Sequence, residues 1–274
     1  MVKIQTYTFT PPIFSCFFLY ERYDTKLFGN REVLLESGSF KFKVWNSLPS
    51  RRFHVKEVHD SADTHFNLVR SDGGEFNVSL LSYNAPHPFW RTKVVKVVNR
   101  YLIANQTDCE LQWSQEGCGK DFSVKSREQS FLHWPSHDNP KLLQIKFKGQ
   151  EWSWSYGFDV KDISLFEIKI YNADNTERTL IVQTTTEEAT TAIIVRPAKS
   201  GFCSYLIKND TSLEMFVNQK DTAEIQTMVL PGSESSYVWF DLKKRKLLCI
   251  NIGDVRNVYL IEGEKTNPKT SKIC

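Results

Sequence analysis

The stretch Tyr205-Leu206-Ile207-Lys208-Asn209-Asp210-Thr211 decides how this chain is read, because it occurs twice. About 105 residues earlier stands Tyr101-Leu102-Ile103-Ala104-Asn105-Gln106-Thr107, with Tyr-Leu-Ile, the Asn and the Thr in the same places. Working outward, Phe53-His54-Val55-Lys56-Glu57-Val58 falls on Phe158-Asp159-Val160-Lys161-Asp162-Ile163. Trp134, followed seven residues later by Lys141-Leu142-Leu143-Gln144-Ile145, falls on Trp239 followed by Lys246-Leu247-Leu248-Cys249-Ile250. Three blocks that keep their order and spacing mark an internal repeat. A period of about 105 residues is longer than that of solenoids or propeller blades, so each copy is expected to be a domain with its own core.

Short runs rich in Val, Ile, Thr, Phe and Tyr predict strands at 94–98, 166–171, 180–186, 191–195 and 215–217. Gly73-Gly74, Asn172-Ala173-Asp174-Asn175 and Pro231-Gly232 supply turn chemistry between such runs. No window keeps apolar residues at helical spacing over a normal helix length. The expected fold is all-β, with tandem β-sandwich-like repeats. The expected division is the end of a preceding repeat at 1–50, a first repeat at 51–150, a second at 151–255, and a tail or the start of a truncated next repeat at 256–274.

The 274 residues carry 41% hydrophobic residues, seven Trp and nineteen Phe, enough apolar surface for packed cores. A net charge of +3 is too small to drive counterion release, so nucleic acid is not an expected partner. The one dense basic run, Lys243-Lys244-Arg245-Lys246, reads as a solvated turn between strands, with an anionic membrane surface as the other use. The apolar segment from Ile13 to Tyr20 ends at Glu21-Arg22, too short to span a bilayer and without a cleavage site, and is expected to be a strand. Cysteines at 16, 109, 118, 203, 249 and 274 read as small buried hydrophobes. Sequons at Asn77, Asn105 and Asn209 would count only in a secreted protein and are read as accidental.

Patterns for catalysis fail on identifiable residues. Gly119-Lys120 ends a phosphate loop only in part, because Ser114 and Asp121 stand where Gly and Ser or Thr are required. His133 and His137 have finger-like spacing, but Cys109 and Cys118 do not form a close pair, so no metal is expected. No G-x-S-x-G elbow appears. His87 reads as a loop residue, and Glu187-Glu188 as solvated carboxylates rather than a glycosidase pair. The chain is read as a non-enzyme without cofactors. The informative polar positions are Asn105 and Asn209, each where an apolar strand gives way to a turn. There an amide can staple the turn onto its neighbour, or contact a ligand. Trp134, Trp239, Phe53 and Phe158 are the expected core anchors.

The blocks around Asn105 and Asn209, with Val229-Leu230-Pro231-Gly232-Ser233-Glu234-Ser235 before Trp239, resemble the adaptor-binding repeats of the Vps13 lipid-transfer proteins. So does the linking segment Trp152-Ser153-Trp154-Ser155-Tyr156-Gly157-Phe158-Asp159-Val160. The resemblance covers roughly residues 40 to 255. The first copy departs from it, with Val124-Lys125-Ser126-Arg127-Glu128 in place of the Leu-Pro-Gly-Ser-Glu turn. The resemblance implies β-rich repeats that capture short proline-containing motifs of adaptor proteins. It also implies a larger Vps13-like chain directed to organelle membranes and contact sites, cytoplasmic and peripheral, touching membranes only indirectly. Asn105, Asn209, Tyr205, Ile207 and Thr211 carry over as peptide-binding or groove-shaping positions. A β-sandwich can do this by offering an unpaired strand edge to an extended peptide. The competing readings are a secreted or surface carbohydrate-binding β-sandwich, favoured by the aromatics and sequons, and an esterase or glycosidase.

Overall fold

The computed structural model describes residues 39–54, 64–84, 86–88, 93–174, 176–198, 204–222 and 226–260, together with two short strands at 3–4 and 16–19. The described residues form strands and turns with no helix, so the fold is all-β. The sequence block at 55–58 and the tail from 261 lie outside the described residues. The apolar segment read as a strand contains Cys16–Leu19, paired antiparallel with Ser39–Val44.

Alternation of apolar and polar residues gives each sheet one face for a core. Tyr101–Asn105 and Leu143–Phe147 alternate between buried and half-buried positions along their whole length. Three buried clusters result. The central one joins Leu111, Trp113, Val124, Leu143, Ile145 and Phe147 of one three-stranded sheet to Tyr101, Ile103, Leu132 and the inward residues of a five-stranded sheet. The five-stranded sheet has the order Gln129–Leu132, Tyr101–Asn105, Thr190–Pro197, Glu177–Glu187, Ser164–Tyr171. Two sheets facing each other across one core make a sandwich. A second cluster combines Phe42, Val44 and Phe53 with Phe66, Leu68, Phe76, Val78, Leu80 and Val95. The third holds Met215, Val217, Val229, Tyr237, Trp239, Leu248 and Ile250.

The central core runs from Tyr101 to Val195 and so draws on both sides of residue 150. A periodic sequence has no intrinsic starting point, and only the grouping of side chains into cores gives the period a phase. The joint that makes this grouping possible is parallel: Thr191–Val195 pairs with Tyr101–Asn105, bringing the three-strand meander at 164–197 onto a strand that ends about 60 residues before it. The same joint occurs earlier, where Lys3–Ile4 pairs in parallel with Val94–Val95.

Adjacent cores meet through different chemistry. At the first junction Glu75 donates its N–H to the Trp134 carbonyl (2.8 Å), and the Trp134 N–H is accepted by Asn77 Oδ1 (2.9 Å). His133 Nδ1 accepts the Asn77 N–H (3.1 Å). The buried Glu75 carboxylate receives Asn77 Nδ2 (2.9 Å) and Lys141 Nζ (3.1 Å), with the His137 ring beside it. At the second junction Phe240 packs on Tyr156 and Tyr171, with centroids 4.5 and 5.8 Å away, and Lys243 Nζ reaches Glu116 (2.8 Å) at the surface.

Candidate functional site

Asn105 ends the strand Tyr101–Asn105, and its amide is 1% exposed. Its Nδ2 lies 2.8 Å from the Cys109 carbonyl and 3.0 Å from those of Val124 and Lys125. Its Oδ1 accepts the Thr107 N–H (2.9 Å) and hydroxyl (2.8 Å), while that hydroxyl accepts the Cys109 N–H (3.3 Å). One side chain thereby ties the strand end, the turn after it and the strand Asp121–Val124 on the opposite sheet. Asn209, 0% exposed, does the same. Its Nδ2 donates to the carbonyls of Leu213 (2.8 Å) and Val229 (2.9 Å), and its Oδ1 accepts the Thr211 N–H (3.0 Å) and hydroxyl (2.7 Å). The staple geometry is therefore present at both asparagines. The bonds to Val124 and Val229 lie in buried surroundings, where a carbonyl left unsatisfied costs about 1–3 kcal/mol.

The turn that closes each corner keeps its shape despite a changed sequence. In the second corner Ser233 N–H donates to the Leu230 carbonyl (3.1 Å) across Pro231-Gly232, and Gly232 has φ +67°. In the first, Glu128 N–H donates to the Lys125 carbonyl (3.1 Å), and Arg127 takes φ +62° in the glycine's place. Each Asn then donates its own N–H into the turn, Asn105 to Glu128 O (2.9 Å) and Asn209 to Ser233 O (3.0 Å). The departure at 124–128 thus alters the residue and not the turn, and Arg127 carries the left-handed strain that glycine avoids.

The other anticipated positions divide between core and corner. Trp134 and Trp239 are buried, each meeting a tyrosine of the paired strand edge-on: Tyr101 at 6.1 Å and Tyr205 at 5.6 Å. Phe53 and Phe158 are buried in the first and central cores. Tyr205 and Ile207 are half-buried against the third core, and Thr211 braces Asn209. Asn105 and Asn209 serve separate cores. Beside the first corner lies a cleft of about 470 Å³ lined by Ala104, Asn105, Gln106, Arg127, Glu128 and Gln129. It adjoins the strand Gln129–Leu132, which lies at one edge of the five-stranded sheet and exposes Phe131.

Two sets of interactions were not read from the sequence. Gln115 and Gln219 are buried amides that hold the loop after each tryptophan. Gln115 Oε1 accepts the Ser136 N–H (2.9 Å) and Gln219 Oε1 the Asp241 N–H (2.9 Å), while their Nε2 groups donate to loop carbonyls. The repeat shift that aligns Asn105 with Asn209 also aligns these glutamines, so the signal was available. The joining of Glu75 and Asn77 to His133 and His137 had no such signal, because the two pairs lie more than fifty residues apart in the chain. All three sequon asparagines are buried with their amide nitrogens bonded internally: Asn77 Nδ2 donates to Glu75 and Asn67 (3.0 Å). The folded chain does not offer them as glycan acceptors. Among the described residues no group of three or more His, Cys, Asp or Glu is placed to hold a metal ion, and no helix is long and apolar enough to cross a membrane.

Comparison with known proteins bears directly on these corners. The family model of the vacuolar-sorting associated protein 13 adaptor binding domain matches residues 44–250. The chain belongs to this family. The matched span of this Vps13 adaptor-binding chain includes both asparagine corners, the central and third cores and all of the first core's buried residues but Phe42, so the corners are features of a protein-binding module. Similar proteins include the intermembrane lipid transfer protein vps13D of Dictyostelium discoideum, 24% identical over 66% of this chain and 4% of the relative. Another is vps13B of the same organism, 22% identical over 77% of this chain and 4% of the relative. A third is VPS13 of Chaetomium thermophilum, 23% identical over 58% of this chain and 5% of the relative. The chain matches only about a twentieth of the length of these relatives.

Proposed function

We propose that this chain captures short proline-containing segments of adaptor proteins without catalysis, and so recruits a larger Vps13-type lipid-transfer chain to organelle membranes and contact sites from the cytoplasmic side. The observation that carries the reading is the match of the adaptor-binding family over residues 44–250. The physical support is a strand that is outermost in its sheet among the described residues and lies beside a cleft. An extended peptide laid along Gln129–Leu132 would add main-chain hydrogen bonds, and prolines, which cannot donate to a ladder, would point their rings into the cleft beside Ala104 and Gln106. In this reading Asn105, and by the same geometry Asn209 with Tyr205, Ile207 and Thr211, shape the groove without touching the peptide.

The test is fluorescence polarisation of labelled twelve-residue peptides carrying two prolines, each paired with its Pro→Ala counterpart. Phe131→Asp changes an exposed side chain on the edge strand. It is expected to weaken binding about tenfold or more, as loss of an aromatic anchor does, at unchanged melting temperature. Equal binding of the alanine peptides, or indifference to Phe131→Asp, would remove the reading.

A further inference from the structure

The loops held by Gln115 and Gln219 share a form but not a charge. A shift of 105 residues lays Ser136-His137-Asp138-Asn139-Pro140-Lys141 on Asp241-Leu242-Lys243-Lys244-Arg245-Lys246. The glutamine amide reaches equivalent carbonyls, that of Pro140 from Gln115 Nε2 (3.0 Å) and that of Arg245 from Gln219 Nε2 (3.4 Å). In the first loop Asp138 and Lys141 cancel, and Lys141 is turned inward, with Nζ on the carbonyls of Ser136 (2.6 Å) and His137 (2.9 Å) and on the Glu75 carboxylate (3.1 Å). In the second, Lys243, Lys244, Arg245 and Lys246 stand against Asp241 alone, leaving +3, as large as the net charge of the entire chain. All four cations are exposed, whereas Asp241 is buried and its Oδ1 accepts the Lys243 N–H (2.9 Å).

The loop does not need these charges to form, since its uncharged counterpart is held by the same amide. Side-by-side cations repel one another, and an anionic surface relieves that repulsion. The backbone of the turn is committed inward: the Lys244 N–H donates to the Asp241 carbonyl (3.3 Å), the Leu247 N–H to that of Arg245 (2.8 Å) and the Lys220 N–H to that of Leu247 (2.8 Å). What the turn presents outward is side-chain charge rather than a backbone ladder. We propose that the turn at 243–246 is a direct contact with the anionic surface of a lipid bilayer, with Lys244, Arg245 and Lys246 against the headgroups and Lys243 tying the turn to the central unit through Glu116. A bilayer surface carries dense like charge without a sequence, which suits a fixed turn that offers charge alone, whereas an extended acidic peptide is held by main-chain bonds or pockets as well. The apolar neighbours of the run are already used: Phe240 packs on Tyr156 and Tyr171, and Leu242 against the central and third cores. The contact is therefore electrostatic, without insertion into the acyl region.

The test is co-sedimentation of the intact chain with vesicles of phosphatidylcholine, alone or with about 30 mol% phosphatidylserine, at about 0.1 M salt, where a Debye length of about 10 Å leaves surface cations within reach of the headgroups. Binding to the anionic vesicles only is expected. Each cation near such a surface is worth about fivefold, so Lys244→Gln/Arg245→Gln/Lys246→Gln is expected to weaken binding on the order of a hundredfold at unchanged melting temperature. A matched variant, Lys41→Gln/Lys125→Gln/Lys161→Gln, removes the same charge from exposed positions elsewhere and is expected to keep most of the binding. Salt at about 1 M, with a Debye length of about 3 Å, is expected to release the wild-type chain. The proposal is overturned if the chain does not prefer the anionic vesicles, if the two triple variants lose binding equally, or if soluble oligoglutamate binds the turn as tightly as the vesicles do, which would assign it to an acidic protein segment. The assay contains no proline peptide and its variants leave Phe131 and the cleft beside Asn105 intact, so its failure leaves the adaptor-peptide assay standing.

Discussion

The central and C-terminal cores are built around the same asparagine corner, yet among the described residues one gathers eighteen buried side chains and the other seven. The corners share their principal bonds, from the amide on the opposite-strand carbonyl to the threonine hydroxyl on Oδ1. The difference lies in the meander at 164–197, which closes the central sandwich from the far side of a parallel joint. A corner is thus a local device that forms from about thirty residues, whereas a sealed core needs strands delivered from much further along the chain. The two junctions show a similar contrast, one a buried polar network around Glu75 and the other an aromatic contact with a surface ion pair.

The comparison can be broken most forcefully at the asparagines. Asn105→Ala takes the amide from the Val124 carbonyl and the Thr107 N–H, and removes its bonds to Cys109 and Lys125, whose carbonyls keep the Thr107 hydroxyl and the Glu128 N–H; it is expected to cost about 4 kcal/mol in urea unfolding. Asn209→Ala removes one amide bond fewer, with the Leu213 carbonyl keeping the Thr211 hydroxyl, and is expected to cost about 3 kcal/mol. Wild-type stability in either variant would show that the corner is not what holds its core.

The next effect sharpens the contrast between junctions. Burial, with Arg70 nearby, holds His133 at about 4, well below its ordinary 6.5. The folded chain therefore keeps the ring neutral where the unfolded chain binds a proton. Stability is fully present above about pH 6.5 and is lost as pH falls toward 4. The expected loss between pH 7.5 and 4.5 is about 2 kcal/mol, read from urea midpoints, and a His133→Asn variant should lack that part of the slope. The second junction offers no such histidine at Phe240 or Lys243. The smallest effect tests the turn. Arg127→Gly copies the Pro-Gly corner's left-handed residue into the first corner and is expected to gain about 1 kcal/mol by relieving backbone strain. The exposed Arg127–Asp108 pair that it removes contributes little. A destabilised variant would mean that Arg127 holds something more than its φ.

The all-β class, the asparagine corners and the tryptophan anchors were legible in the amino-acid order alone, because alternation, turn residues and the spacing of Tyr, Asn and Trp are short-range patterns that recur. The carbohydrate reading, by contrast, drew on sequons whose burial no sequence pattern reports. Gln115 and Gln219 were visible in principle, since the same shift aligns them, but an amide inside a polar-looking strand end carries no signal until its loop is seen folded over it. Only the tertiary structure decided where one core ends and the next begins, which edge of each Tyr-Leu-Ile strand is covered, and that Glu75, Asn77, His133 and His137 meet. The physical reason is that these outcomes rest on pairings between segments fifty to ninety residues apart. A repeating sequence permits such pairings in more than one phase, and the burial of Ile193 and Val195 against Tyr101 and Ile103 selects one of them.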